Sequence, residues 1–244
     1  MSSPLGKPTT VLLTGGTSGV GAALLTRLLD RGHTVLALSR SAAHLPARAG
    51  LNPVTCDLTD LETLPALVRA LVADHPDLSI VINNAAMQIA RPLTDASSFP
   101  DHLIKEAALN LIAPALIVQA ALPHLIGLPQ GAVINVSSGL AFFPKEKGGL
   151  YSATKAGLSS FTTSLRWQVE GTPLFVAEVV LPMVDTPMTA GRGKGRKISP
   201  EEAADAILRG VDARRPVIRV AAARALPAIA ALAPWLGRRM LRGG

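Results

Sequence analysis

Tyr151 and Lys155 are the residues whose types and spacing most clearly indicate chemistry. They stand four positions apart in the segment 151–169, whose pattern predicts a helix, so both side chains share one helix face. A free tyrosine has a pKa of about 10, too high for a group that donates and accepts a proton near neutrality. Because a neighbouring ammonium favours the phenolate, we expect Lys155 to lower the pKa of Tyr151, the only tyrosine in the chain.

Ser138 lies thirteen residues before Tyr151, at the C-terminal end of a predicted strand. Ligands of open parallel sheets bind at that edge, so this hydroxyl could face the same ligand as the tyrosine. Ser137 could take its place, although the spacing favours Ser138. Together these side chains would suit proton exchange with an oxygen of a bound substrate.

A glycine-rich turn, TGGTSGVG at 14–21, joins the first predicted strand to the first predicted helix. Glycines allow a tight turn and a close approach of the backbone to a phosphate, and the helix N-terminus offers free N–H groups. The turn could also merely link strand to helix. Its place at the first strand–helix junction favours phosphate binding.

The second predicted strand ends at Ser39 and Arg40, where enzymes that prefer NAD usually carry an acid for the ribose 2′-hydroxyl. A guanidinium can instead pair with a 2′-phosphate through a charge-assisted contact. We therefore predict NADP(H) as the cofactor, with NAD(H) less favoured. The alternative is that Arg40 is an ordinary surface arginine.

The elements that would position these residues alternate along the chain. Strand-like runs occupy 10–13, 34–38, 53–56, 78–82, 132–136, 175–181 and 217–220, and helix-like segments occupy 22–30, 61–73, 101–125, 151–169 and 200–211. Such alternation predicts a parallel sheet with helices on both faces. Pro114 is expected to bend the long helix without ending it. Ser199, Pro200 and Glu202 together form a helix-start signal.

Composition excludes several classes of protein. The 244 residues are 48% hydrophobic and 17% charged, which suits a large core and not a disordered chain. One cysteine and five scattered histidines argue against a disulfide framework and a metal site. Aromatic residues make up only 3%, and no recognition motif is present, so we expect no nucleic-acid partner.

The net charge of +7 belongs to the C-terminal stretch 206–244, which has eight arginines and one acid, Asp212. Within it, residues 221–244 mix apolar residues with arginine, and we expect a basic, helical extension. It could pack on its own chain, cover the active site, meet a sister subunit, or lie weakly on an anionic membrane surface. Neither a signal-peptide core nor a clean spanning run is recognisable, so a cytoplasmic location is predicted.

Several motifs, taken together and in order, resemble the short-chain dehydrogenase/reductase family over about residues 9–220, and within it the DltE-type oxidoreductase branch. They are TGGTSGVG at 14–21, Asp57 in CDL, INNAA at 82–86, Asn110, INVSSG at 134–139 and YSATK at 151–155. The resemblance implies a single-domain, Rossmann-type α/β/α sandwich of three layers with a doubly wound, mainly seven-stranded parallel sheet. The dinucleotide-binding catalytic domain would span 1–220, with a substrate loop at about 187–198, and the extension 221–244 would follow it.

The resemblance also implies a role for each catalytic residue. Tyr151 would exchange the proton with the substrate oxygen, and Lys155 would lower the pKa of Tyr151 and hold the nicotinamide ribose. Ser138 would orient and polarise the carbonyl. Asn110 would hold a water in the proton relay, or else satisfy backbone groups freed near Pro114.

Cofactor contacts are implied in three groups. They are the pyrophosphate turn (Gly15, Thr17, Ser18, Gly19, Val20 and Gly21), the adenosine end (Ser39, Arg40, Asp57, Leu58, Asn84 and Ala85) and the nicotinamide end (Tyr151, Lys155, Pro182, Val184 and Thr186). Asp57 could instead cap the next turn. Pro182 departs from the family, which usually has glycine there, so the backbone near the nicotinamide must differ.

The function implied is that of an NADP(H)-dependent oxidoreductase, which moves a hydride between the nicotinamide and a carbonyl or alcohol of a small, partly apolar substrate. A non-catalytic NADP(H)-binding sensor or scaffold is the alternative. The family commonly forms homodimers or homotetramers, here through the helices 101–125 and 151–169. Four cations in the substrate loop could recognise an anionic substrate or carrier, although the sequence favours a solvated loop.

Overall fold

A seven-stranded parallel sheet forms the centre of the computed structural model, which describes residues 3–90, 92–94, 100–192 and 197–242. Its strands are β1 (Thr10–Thr14), β2 (Thr34–Ser39), β3 (Leu51–Thr55), β4 (Leu78–Asn83), β5 (Ala132–Ser138), β6 (Phe175–Leu181) and β7 (Val217–Arg219). They are ordered β3-β2-β1-β4-β5-β6-β7, and every pair is parallel. The order reverses between β1 and β4, which confirms the predicted doubly wound, Rossmann-type sheet.

Helices cover both faces of this sheet. They are α1 (Gly19–Asp30), α2 (Leu64–Asp74), α3 (Pro100–Ala107), α4 (Ala113–Leu125), α5 (Gly149–Gln168), α6 (Pro200–Asp212), α7 (Leu226–Leu232) and α8 (Pro234–Arg242). The predicted start of α6 is confirmed, since the Ser199 hydroxyl accepts from the Glu202 amide and the Glu202 carboxylate accepts from the Ser199 amide.

Side chains along each strand alternate between the two faces of the sheet, and a separate hydrophobic core lies on each face. In β1, Val11 and Leu13 pack with α1 and α6, whereas Leu12 between them packs with α2 and α4 on the opposite face. All three side chains are completely buried. Successive side chains of a strand point to opposite faces, so a strand covered on both sides forms a nearly continuous apolar run. The apolar runs are why these strands could be predicted from the sequence.

The long helix between β4 and β5 differs in detail from the expectation. The predicted bend at Pro114 is preceded by a π-helical turn, Ala108–Ile112, in which the Ala113 amide donates to the Ala108 carbonyl. The stretch 100–125 is long and apolar enough to cross a membrane by length and composition alone. However, Ile117 and Leu125 are buried against the sheet, as expected of a core helix.

The C-terminal segment folds back onto its own chain. A short 3-10 helix, Ala221–Ala225, leads into α7 and α8. The carbonyl of Arg242 accepts a hydrogen bond from the Glu146 amide at 2.9 Å, and the two side chains form an ion pair. The described part of the extension is helical, and it packs against the segment 139–146 that follows β5.

Candidate active site

A cavity of about 400 Å³ lies at the carboxyl ends of the strands, across the point where the strand order reverses. Its walls include every residue predicted for the cofactor, together with three of the four predicted catalytic residues. They are Gly15, Thr17, Ser18, Gly19, Val20, Gly21, Ser39, Arg40, Asp57, Leu58, Asn84, Ala85, Ser138, Tyr151, Lys155, Pro182, Val184 and Thr186. Segments far apart in the sequence therefore meet at one site.

The glycine-rich turn is held tightly against its neighbours. Gly15 and Gly19 have φ values of 73° and 52°, in the left-handed region that favours glycine. A Cβ on Gly15 would lie 2.9 Å from Cα of Ala85, and one on Gly21 would collide with the Gly15 carbonyl oxygen. The side-chain amide of Asn84 donates a hydrogen bond to the Gly15 carbonyl at 3.2 Å and so fixes the turn. The backbone thus forms a cradle of the kind that a pyrophosphate requires.

The end of β2 presents unused polar groups to the same cavity. The hydroxyl of Ser39 is buried and has no hydrogen-bond partner among the described residues, and Arg40 beside it is exposed. Ser41, which the sequence analysis did not single out, donates to the Thr17 hydroxyl at 3.3 Å. An orphaned hydroxyl next to a free guanidinium fits a ribose that carries a 2′-phosphate.

Asp57 serves the backbone as well as the cavity. Its carboxylate accepts hydrogen bonds from the amide and the hydroxyl of Thr59, and these bonds hold its pKa below the usual range. The turn-capping alternative is therefore correct, and it coexists with a place on the cavity wall. Lys105 also lines the cavity, and nothing in the local sequence indicated it.

Ser138, Tyr151 and Lys155 converge at the other end of the cavity. Ser138 lies near enough to Tyr151 to lower the pKa of its phenol, and the Ser138 oxygen accepts a hydrogen bond from the Leu140 amide at 3.2 Å. Ser137 is buried and donates to the Lys155 carbonyl instead. The Lys155 ammonium donates to the Val136 carbonyl at 2.8 Å and lies 5.7 Å from the centre of the Tyr151 ring. The geometry thus pairs Ser138, not Ser137, with the tyrosine.

Burial controls the protonation of this pair, and it opposes the sequence expectation for the tyrosine. Burial raises the pKa of Tyr151 to about 12, against a smaller lowering by Ser138, while the charge of Glu106 raises it further. Burial also lowers the pKa of Lys155 to about 8. The expected lowering by Lys155 is absent because the ammonium bonds to the Val136 carbonyl rather than to the phenol. The tyrosine is therefore a protonated phenol at neutral pH.

Asn110 lies behind the cavity wall instead of on it, completely buried in the π-helical turn. Its side chain accepts from the Met87 amide at 2.9 Å and donates to the Met87 carbonyl at 2.8 Å. The suggestion that its side chain satisfies backbone freed near Pro114 is wrong, because these partners belong to another segment. Pro114 has no N–H for the carbonyl of Asn110 four residues earlier, which leaves that oxygen without its α-helical donor.

The segment after β6 carries the proline that departs from the family pattern. Pro182, Val184 and Thr186 all reach the cavity wall. The hydroxyl of Thr189 donates to the Val184 carbonyl and fixes the turn that follows. A Cβ on Gly19 would lie 2.9 Å from Cγ2 of Thr186, so this segment also closes onto the glycine-rich turn.

Comparisons with known proteins identify the family and the fold. The family model for short chain dehydrogenase matches residues 9–197. The chain is 37% identical over 183 residues to the uncharacterized oxidoreductase DltE of Bacillus subtilis (strain 168), covering 72% of each chain.

Two solved structures share the whole fold. A short chain dehydrogenase from Burkholderia cenocepacia J2315, in complex with NADP, superposes with a TM-score of 0.83 at 27% identity, covering 96% of this chain and 98% of that one. A short-chain dehydrogenase from Sphingobium yanoikuyae, in complex with NADPH, gives a TM-score of 0.80 at 26% identity, with 94% and 95% covered.

Proposed function

This chain belongs to the short chain dehydrogenase family, and we propose that it is an NADP(H)-dependent oxidoreductase acting on a carbonyl or alcohol of a small molecule. One observation carries the proposal: Ser138, Tyr151 and Lys155 line the same cavity as the glycine-rich turn. A phosphate cradle and a proton donor at opposite ends of one cavity suit hydride transfer from a dinucleotide.

The choice of NADP(H) is supported by the end of β2 and by the neighbours. The buried Ser39 hydroxyl has no hydrogen-bond partner in the part of the chain that the structure describes, and Arg40 offers a cation at the same place. The structures from B. cenocepacia and S. yanoikuyae are complexes with NADP and NADPH. When bound, NADPH supplies the hydride to the carbonyl carbon.

The protein would supply orientation and the proton. In the direction of reduction, Tyr151 donates its phenolic proton to the carbonyl oxygen, and the Ser138 hydroxyl bonds to the same oxygen. A phenol carries its proton at pH 7, and burial raises the pKa of Tyr151 further, to about 12, so the release of this proton needs a proton source or positive charge close by. Lys155 has the lower pKa of the two groups and lies beside the ring, so it can return the proton to the tyrosine.

Asn110 would act as a positioning residue. Its side chain clamps both backbone groups of Met87, which lines the cavity. Its own carbonyl, freed by Pro114, is the group that could hold the water predicted for the proton relay. The bonds to Met87 act on the shape of the site and not on the reacting atoms.

We also propose assembly into a homo-oligomer through the two long helices. Ile104, Ile112 and Trp167 are exposed along α3, the π-helical turn and α5. Exposed large apolar side chains on neighbouring helices suit a subunit interface. Three other expectations stay predictions. They are the membrane-surface contact by residues 221–244, the extent of the catalytic domain over residues 1–220, and the cytoplasmic location.

NADPH oxidation against a panel of aldehydes and ketones tests the proposed activity. We expect turnover of at least one carbonyl by the wild-type chain. If NADPH binds tightly and no carbonyl in a broad panel is reduced, the non-catalytic sensor or scaffold becomes the better account.

A further inference from the structure

One face of α8 carries a tryptophan among three arginines. Four residues share this face because they are spaced i, i+3, i+4 and i+7 along the helix, and they are Trp235, Arg238, Arg239 and Arg242. All four are exposed, and Trp235 is exposed by 64%. We call this surface the basic face of α8.

The opposite side of α8 is packed on its own chain. Gly237 is buried there, and a Cβ on it would collide with the ring of Phe143. Leu226 contributes a second contact, since a Cβ on Gly139 would lie 2.8 Å from its Cδ1. The Arg242 carbonyl accepts from the Glu146 amide at 2.9 Å. These contacts with the segment 139–146 hold the helix in place, so its basic face is presented without any rearrangement.

Two more large apolar side chains of the extension are in solvent. Leu232, at the end of α7, is exposed by 85%, and Met240 is exposed by 58%. Single exposed apolar residues are ordinary on a protein surface, but here three occur within the stretch 232–240. Their concentration beside arginines is the pattern of a helix that lies at the surface of a lipid bilayer.

The positive charge of this surface is largely uncompensated. Residues 221–244 contain no aspartate or glutamate. Arg238 and Arg239 make no ion pair with the residues that the structure describes. Arg242 pairs with Glu146 at 3.2 Å, but both side chains are exposed, and such a pair contributes little. The basic face therefore suits an anionic partner.

An anionic lipid surface matches both properties of this face. Its phosphates can accept from the guanidinium groups, and its headgroup region is where a tryptophan side chain is most favourable. A second copy of the chain is a poorer match, because a two-fold contact would place two identical basic faces against each other. One tryptophan is also too little for the aromatic platform on which nucleic-acid bases stack.

We propose that the basic face of α8 binds an anionic lipid surface, with Trp235 among the headgroups and the three arginines against lipid phosphates. The helix has nine residues, and a bilayer-spanning helix needs about 20, so α8 lies on the surface and does not cross it. The inference goes beyond the reductase function and does not depend on it.

The two tryptophans of the chain allow a direct test. Trp167→Phe leaves Trp235 as the only indole, and Trp235→Phe leaves Trp167, which is exposed by 70% on α5 and serves as the matched control. Each protein would be mixed with vesicles of equal parts phosphatidylglycerol and phosphatidylcholine, or of phosphatidylcholine alone. The emission of Trp235 should shift to the blue with the anionic vesicles only. The emission of Trp167 should not change.

Vesicle sedimentation measures the contribution of the arginines. The double variant Arg238→Gln/Arg239→Gln should lower the partition coefficient for the anionic vesicles about 30-fold, and high salt should release the wild type. The control Arg69→Gln/Arg209→Gln removes the same charge from exposed positions on α2 and α6 and should stay within about threefold of the wild type. All four positions are exposed, so both variants should unfold at the wild-type temperature.

Three results would overturn the inference. The first is an unchanged Trp235 emission with anionic vesicles, and the second is an equal loss of binding in the two double variants. The third is a blue shift of Trp235 that grows with protein concentration in the absence of lipid, which would assign the basic face to a second copy of the chain. None of these measurements uses turnover, so their outcome leaves the reductase function untouched.

Discussion

Replacing Arg40 by glutamine should remove most of the preference for NADP(H). Arg40 directly follows β2, is exposed, and lines the cavity beside the unpartnered hydroxyl of Ser39. No ion pair ties it to another residue in the described ranges. Its guanidinium is therefore available to the 2′-phosphate, the group that distinguishes the two cofactors.

The expected loss of NADPH affinity follows from the exposure of the contact between Arg40 and the 2′-phosphate. A hydrogen bond to a charged partner contributes about 1.5–3 kcal/mol, and exposure and salt place this one near the lower limit. Since about 1.4 kcal/mol corresponds to tenfold in affinity, the Kd for NADPH should rise about tenfold. The Kd for NADH should stay constant, and Arg40→Asp should reverse the preference.

Fluorescence titration with NADPH and NADH, at low and at high salt, measures both constants. The preference for NADPH should shrink as salt rises in the wild type and depend less on salt in the variant. Arg69→Gln is the matched control, because Arg69 is exposed on α2 and does not reach the cavity. Equal NADPH affinity in Arg40→Gln and the wild type would refute the assignment.

Three further predictions follow from the site. Gly21→Ala should abolish cofactor binding, measured by the same titration, because its Cβ would collide with the Gly15 carbonyl oxygen, which cannot move aside; binding within threefold of the wild type would contradict this. The kcat/KM for NADPH should fall as pH rises through about 8, because the pKa of Lys155 is lowered to about 8 and its ammonium is lost above that value; a flat profile to pH 10 would contradict the role of that charge. Asn110→Ala should lower the free energy of unfolding by about 2–4 kcal/mol in urea denaturation, because it removes the side-chain partner of two partly buried backbone groups of Met87; a loss below about 1 kcal/mol would show that these bonds matter little.

The fold could be predicted from the sequence because short apolar runs, typical of buried strands, alternate with helix-like segments. Strands buried on both faces are mostly apolar, as Val11–Leu13 in β1 and Val179–Leu181 in β6 are, and the helices between them leave few alternative topologies. The glycine-rich turn and the Tyr151–Lys155 pair were readable for a related reason. Both are local features. The turn needs glycine where a Cβ would collide with its neighbours, and the two side chains lie one helical turn apart, so residue types and spacing alone indicate them.

Features that depend on packing were not readable in this way. Whether Lys155 lowers the pKa of Tyr151 depends on where the ammonium points, and the Val136 carbonyl decides that. The π-helical turn before Pro114 depends on the contact of Asn110 with a distant segment. Lys145 looks like any loop lysine in the sequence, and only the fold shows that it is buried.

Tyr151→Phe tests the central claim most directly. The ring keeps its size and burial, so NADPH should bind to the variant as it does to the wild type. Without a phenolic proton, reduction of the best carbonyl substrate should fall by about 10² to 10⁴-fold. A variant that binds NADPH normally and retains more than about a tenth of the wild-type rate would contradict the assignment of Tyr151 as the proton donor.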